Sequence, residues 1–287
     1  MPKPTWPPVP PFDMPPARTV RLPDRGEFFL RDTGGDGPVV MLLHGWMASA
    51  DLNWAAAYGD LERAGYRLLA IDHRGHGRGL RPMERFRLRD CAADAAAVLR
   101  HLGLAPATVV GYSMGGAIAQ LVAYEHSDVV SGLVLSGTAL HWQEKEVQRR
   151  FRALGVFGLS LSVAPRLSWQ MGFRAVGLRR SPQTAWLQSE LMRHSASDIT
   201  EAGREIGRFD ARPWASTVRA PVAVALTTKD ELVPPRKQRQ LAETYGAKVF
   251  EAPVRHIELA ERAQEYNPAL LQAIAAVSPR QGDVKAA

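Results

Sequence analysis

The stretch VVGYSMGGAIAQ, Val109 to Gln120, runs from an apolar segment through Gly111, Ser113, Gly115 and Gly116 into a helical pattern. This is the G-x-S-x-G spacing of a sharp strand-to-helix corner. Such a corner strains its central residue, demands small neighbours and lifts the serine Oγ clear of a sheet edge. It also leaves the Met114 N–H at a helix start, where a backbone donor has no intrahelical acceptor and negative charge is favoured. An ordinary glycine-rich turn can carry the same spacing, so the surroundings decide. A hydroxyl is a poor nucleophile at neutral pH. It needs an imidazole to take its proton and a carboxylate to fix the tautomer of that imidazole.

Two downstream loops offer those groups. In ALTTKDELVPP, Asp230 follows a strand ending near Leu226 and precedes a proline-started helix. Glu231 is the rival acid, with a solvent-facing role expected. In FEAPVRHIEL, His256 follows a strand ending near Glu251. His126 and His194 fall in or beside helices, and His141 is a weaker competitor. Upstream, MLLHGW (Met41 to Trp46) ends a buried strand in His44 and Gly45. From there the Trp46 N–H can converge with the Met114 N–H on a developing oxyanion. His44 is expected to hold that loop through hydrogen bonds.

These loops need a scaffold. Extended patterns fall at 19–22, 27–32, 38–43, 66–71, 107–110, 132–135, 222–226 and 248–251. Helical patterns fall at 52–64, 88–102, 114–125, 235–245 and 258–275. Near-continuous apolar strands alternating with helices indicate a mostly parallel eight-stranded sheet covered on both faces. The alternation breaks between 139 and 213, where no strand is expected and a helical insertion is. The sheet domain is thus expected over 19–138 and 214–277. Residues 1–18 read as a proline-rich arm and 278–287 as a frayed polar tail.

The 287 residues carry a formal net charge of +7, mostly from arginines spread along the chain. No RNA-recognition, zinc-finger or basic-zipper pattern accompanies them, so a solvated basic surface is expected and no nucleic-acid partner. Cys91 is the single cysteine; it allows no intramolecular disulfide and fits a reducing cytoplasm. No signal-peptide pattern opens the chain. No apolar run is long enough to span a bilayer; the longest, Ala153 to Ala164, leaves peripheral lipid contact open. DHRGHG, Asp72 to Gly77, offers two histidines and an aspartate but no third or fourth partner for a metal, so no metal is expected.

Four blocks taken together, LLHGW, AIDHRGHGRG, GYSMGG and TTKDELVP…RHIE, resemble the α/β-hydrolase superfamily, within its capped esterase, lactonase and haloperoxidase-like branch. The resemblance covers 19–138 and 214–275. It implies an α/β-hydrolase fold with a helical cap, residues 139–213, inserted after the sixth strand. It implies Ser113 as nucleophile, Asp230 as acid, His256 as base, and Trp46 and Met114 as oxyanion donors. It also implies buried polar contacts for Asp72 and Arg74 in a structural turn. Gly79–Leu80 departs from the pattern, where similar hydrolases often carry a serine. The implied reaction is cleavage of a small-molecule carboxylic ester without metal or organic cofactor. Enol-lactone, carbon–carbon bond and perhydrolysis chemistries are the rivals, and a non-catalytic ligand-binding protein on the same fold is the rival of another class. A serine at the corner argues against epoxide hydrolase and dehalogenase chemistry, which uses aspartate there.

Overall fold

Alternate residues of the central strands face opposite sides, and both sides are covered. Met41 and Leu43 join one hydrophobic cluster while Val40 and Leu42 join another. The computed structural model describes residues 10–145, 149, 154–175 and 181–279. Its strands are β1 (Ala17–Leu22), β2 (Gly26–Asp32), β3 (Val39–Leu43), β4 (Arg67–Ile71), β5 (Ala107–Tyr112), β6 (Val130–Ser136), β7 (Val222–Thr227) and β8 (Lys248–Ala252). Its helices are α1 (Ala50–Arg63), α2 (Leu88–His101), α3 (Met114–Glu125), α4 (Leu154–Val163), α5 (Pro165–Ala175), α6 (Pro182–Leu191), α7 (Ala196–Arg208), α8 (Pro235–Tyr245) and α9 (Ala263–Val277).

The eight strands form one sheet in the order β1-β2-β4-β3-β5-β6-β7-β8. Strand β2 runs against its neighbours and the pairs from β4 to β8 are parallel. Helices α2, α3 and α8 bury their apolar sides on one face, and α1 and α9 on the other. The chain winds outward in opposite directions from the β3/β5 boundary. In open α/β sheets a crevice forms outside the strand C-termini at such a boundary. The loops after β3 and β5 meet there.

Helices α4 to α7 all lie between β6 and β7. The end of α6 is fastened to the loop after β4. Glu190, 2% exposed, accepts from Ser49 Oγ at 3.1 Å and pairs with Arg78 at 2.7 Å and Arg193 at 3.0 Å. Gly77 N–H donates to His194 Nδ1 at 2.8 Å, and Ser195 N–H to the Gly75 carbonyl at 3.1 Å. Arg81 donates to the carbonyls of Gly77 and Arg193 at 2.7 and 2.6 Å.

Three of the boundaries that differ from the sequence reading have a visible cause. Strand β1 starts at Ala17, inside the expected arm, because Ala17 and Arg18 already pair with Arg31 and Leu30; residues 1–9 of that arm lie outside the described residues. Helix α9 starts at Ala263 rather than at 258, because Glu258 turns its carboxylate back to accept from Arg255 N–H at 3.0 Å. Ser278 is anchored rather than frayed: its hydroxyl lies 2.8 Å from that of buried Thr108. Residues 280–287 of the tail lie outside the described residues.

Candidate active site

Ser113 stands at the β5–α3 corner with φ 54° and ψ −115°. This region is costly for a residue with a side chain, and such strain persists only where the surroundings hold it. Here Ser113 N–H donates to the Ser136 carbonyl at 3.0 Å, while the Ser113 carbonyl accepts from Gly116 N–H and Thr138 Oγ1, each at 2.9 Å. The flanking glycines are steric requirements. A Cβ on Gly111 would strike the Gly115 carbonyl, and a Cβ on Gly115 would strike the Leu43 carbonyl.

The corner brings Ser113 Oγ to 3.0 Å from His256 Nε2. His256 Nδ1 lies 2.7 Å from Asp230 Oδ2. Asp230 is buried, and its Oδ1 accepts from Leu232 and Val233 N–H at 2.9 and 2.8 Å, while Thr227 Oγ1 donates to Oδ2 at 2.8 Å. A carboxylate surrounded by donors is an acceptor only. His256 Nδ1 therefore carries the hydrogen, and Nε2 presents its lone pair to the Ser113 hydroxyl. The arrangement can move a proton off Ser113 and support the imidazolium that results.

Three further residues complete this chain without having been singled out in the sequence. Tyr112 donates its hydroxyl to the His256 carbonyl at 2.5 Å, and its ring centroid lies 5.0 Å from that of His256. Thr227 Oγ1 accepts from Gln238 Nε2 at 2.8 Å. Gln238 also accepts from Thr227 N–H at 3.1 Å and donates to the Val233 carbonyl at 2.8 Å. Gln238 was detectable in principle: a glutamine shares the buried side of α8 with Leu241 and Ala242, at helical spacing.

The loop after β3 sits directly against the serine. A Cβ on Gly45 would lie 3.3 Å from Ser113 Cβ, and Gly45 N–H donates to Asn53 Oδ1 at 2.9 Å. His44 is hydrogen-bonded within that loop. Its Nε2 accepts from His73 N–H at 3.0 Å, so its Nδ1 carries the hydrogen and donates to the Gly45 carbonyl at 2.8 Å. Burial lowers the His44 pKa to about 4, which keeps the ring neutral. Trp46 follows on this loop, and its Nε1 donates to the Ile199 carbonyl on α7 at 2.8 Å. Met114, fully buried, opens α3 immediately after Ser113.

The remaining candidates are separate from this chain. Asp72 is buried and accepts from Ala50 N–H and Arg78 N–H, each at 2.7 Å; desolvation pushes its pKa up. Arg74 makes buried contacts of its own, with Asp94 at 2.7 Å and Asp90 at 3.4 Å, and not with Asp72. Glu231 faces solvent beside Arg255. His194 is half-buried, its ring edge-on to that of His76 with the centroids 5.4 Å apart. His141 forms a bridge with Asp210. Cys91 is buried, and desolvation pushes its thiol pKa up. Among the described residues no group of three or more His, Cys, Asp or Glu is placed to hold a metal. No helix among them is long and apolar enough to cross a membrane.

Known proteins show the same frame. A non-heme haloperoxidase of Rhodococcus erythropolis is 40% identical over 119 residues, which are 41% of this chain and 43% of that protein. A bifunctional esterase/perhydrolase of Acinetobacter calcoaceticus is 37% identical over 118 residues, 40% of this chain and 42% of that protein. The chain thus spans less than half the length of either relative in the matched region. The solved structure of an esterase from Exiguobacterium antarcticum superposes with a TM-score of 0.77 at 20% identity, covering 90% of this chain and 98% of that one; at that identity the likeness is one of fold. The sequence profile of the alpha/beta hydrolase fold matches residues 38–261. With the sheet order, the Ser113 corner and this match in agreement, the chain belongs to the alpha/beta hydrolase fold family.

Proposed function

We propose that this protein is a serine hydrolase that cleaves carboxylic esters of small or medium acyl chain through an acyl-enzyme. Supporting this is the unbroken chain from Ser113 Oγ through His256 to Asp230, at 3.0 and 2.7 Å. His256 Nε2 takes the Ser113 proton as Oγ attacks the ester carbonyl. The oxyanion is met by the Met114 N–H, aligned with the start of α3, and by the Trp46 N–H of the loop against Ser113. His256 then gives its proton to the leaving alcohol. A water, deprotonated by the same nitrogen, attacks the acyl group and frees the acid. No step calls for a metal or organic cofactor. Residues 139–213 act as a cap over this site, tied to its rim by the Trp46–Ile199 bond.

A second reading follows from the names of the haloperoxidase and esterase/perhydrolase relatives. Hydrogen peroxide in place of water would release a peracid from the same acyl-enzyme. The reading is tested with p-nitrophenyl esters of increasing chain length. Ser113→Ala is expected to lower kcat by roughly a thousandfold or more while the circular dichroism spectrum is retained. Turnover unchanged in Ser113→Ala would remove the proposal. A folded protein that turns over no ester, and binds small acyl compounds without cleaving them, would favour the ligand-binding alternative.

A further inference from the structure

Helices α4 and α5 meet at Pro165 and present apolar side chains outward. Leu159 and Val163, one turn apart on α4, are 66% and 76% exposed; Leu167 and Met171, one turn apart on α5, are 54% and 59% exposed. The opposite side of α4 is used internally. Leu161 is buried, and Gly158 approaches α7 so closely that a Cβ there would strike Thr200 Oγ1. The outward side is therefore not the packing side of this helix turned the wrong way. Four large apolar side chains, exposed in paired turns on two adjoining helices, are of the kind that marks an interaction site.

Charge identifies the occupant. Between Val147 and Ser189 the sequence holds seven arginines and no aspartate or glutamate. Arg174 lies one turn beyond Met171 on the same side of α5, and both Arg166 and Arg174 are exposed. A second copy docked by this face would set one arginine-rich segment against another with no carboxylate between them, which disfavours an isologous dimer. An anionic bilayer surface satisfies both features. Its acyl boundary accepts the leucines, valine and methionine, and its phosphates accept the guanidinium groups.

We propose that α4 and α5 form a peripheral docking face for anionic lipid bilayers. The face does not rest on the proposed ester chemistry, and Ser113→Ala carries it unchanged. The test is co-sedimentation with phosphatidylcholine vesicles, with and without one-third phosphatidylglycerol, at low and high salt. Wild type and Ser113→Ala are expected to bind the anionic vesicles alike, to release at high salt, and to leave neutral vesicles unbound. Leu159→Ser/Val163→Ser/Leu167→Ser/Met171→Ser and Arg166→Glu/Arg174→Glu are each expected to weaken binding by about tenfold or more. All these side chains are exposed, so both variants should keep the wild-type thermal melt. Absent binding, equal binding to neutral vesicles, or undiminished binding by either variant would overturn the proposal. So would a wild-type dimer that the Leu159→Ser/Val163→Ser/Leu167→Ser/Met171→Ser variant disperses, because the face would then cover a second copy.

Discussion

Thr227 and Gln238 stand behind Asp230 as Asp230 stands behind His256. Gln238 gives one amide hydrogen to Thr227 Oγ1, which leaves the threonine hydroxyl hydrogen to point at the carboxylate. Gln238→Leu should therefore free that hydroxyl to turn away and leave the Thr227 N–H and Val233 carbonyl without their partners. The expected result is a loss of about 1–3 kcal/mol in urea unfolding, from the unsatisfied buried groups. In ester kinetics kcat should fall about tenfold with KM nearly unchanged. A kcat equal to wild type would show that Asp230 is held well enough by the Leu232 and Val233 amides. The residues of the Ser113 chain were legible because chemistry restricts them to few types, in loops after strands. Gln238 was not singled out because its role depends on what a buried amide meets 11 positions away in the chain. Tyr112 has the same character: its partner, the His256 carbonyl, is 144 residues away.

The central strands were readable because each is a short apolar run ended by turn residues and buried on both faces. The helix after Ser113 fell where expected, and the β1–β2 hairpin did so apart from its earlier start at Ala17. The excursion between β6 and β7 was readable as helical but not in its attachment. Ser49, Arg78 and Glu190 come together over separations of 112 and 141 residues, with no local pattern to announce it. Glu190→Ala leaves Ser49 Oγ and two arginines without that acceptor. Arg78 keeps Asp51 at 3.3 Å and Asp72 at 3.5 Å. The cost should then be about 2 kcal/mol rather than the larger loss of a fully stranded charge. Hydrogen exchange should quicken in α6 and α7 while the amides of β3, β5 and β6 stay protected. Uniform quickening across the sheet would show that these helices and the sheet open as one unit. At the Ser113 corner, Gly115→Ala should destabilise far more, because backbone must move to admit the methyl group; a soluble, fully active Gly115→Ala would contradict the close approach to Leu43.

Across the molecule, three buried histidines and the half-buried His194 join the loop after β3, the loop after β4 and the turn that follows α6. Ring centroids are 4.3 Å apart for His44 and His73, 5.6 Å for His44 and His76, and 5.4 Å for His76 and His194. Burial lowers the pKa of His44 to about 4 and of His76 to about 3, and pushes His73 and His194 well down, with neighbouring cations such as Arg74 and Arg81 adding to it. Unfolded histidine takes its proton near pH 6.5. Below that value the unfolded chain binds more protons than the folded one, so this stability is full above pH 6.5 and is lost as pH falls. Asp72, Asp94 and Asp198, whose pKa values burial raises, act with the opposite sign nearer their own range. From pH 7 to pH 5.5 the urea-unfolding free energy should therefore drop by about 2 kcal/mol or more, and His73→Asn should flatten that slope. A flat profile in wild type would contradict the neutral cluster.

The central claim concerns one oxygen atom. A fluorophosphonate probe reacts only where a serine is activated, and intact mass reports how many sites it fills. The account predicts one adduct per chain on wild type, mapped to Ser113, and none on Ser113→Ala or on a folded His256→Ala. An adduct mapped elsewhere, or a folded wild type that takes up no probe at all, would contradict it.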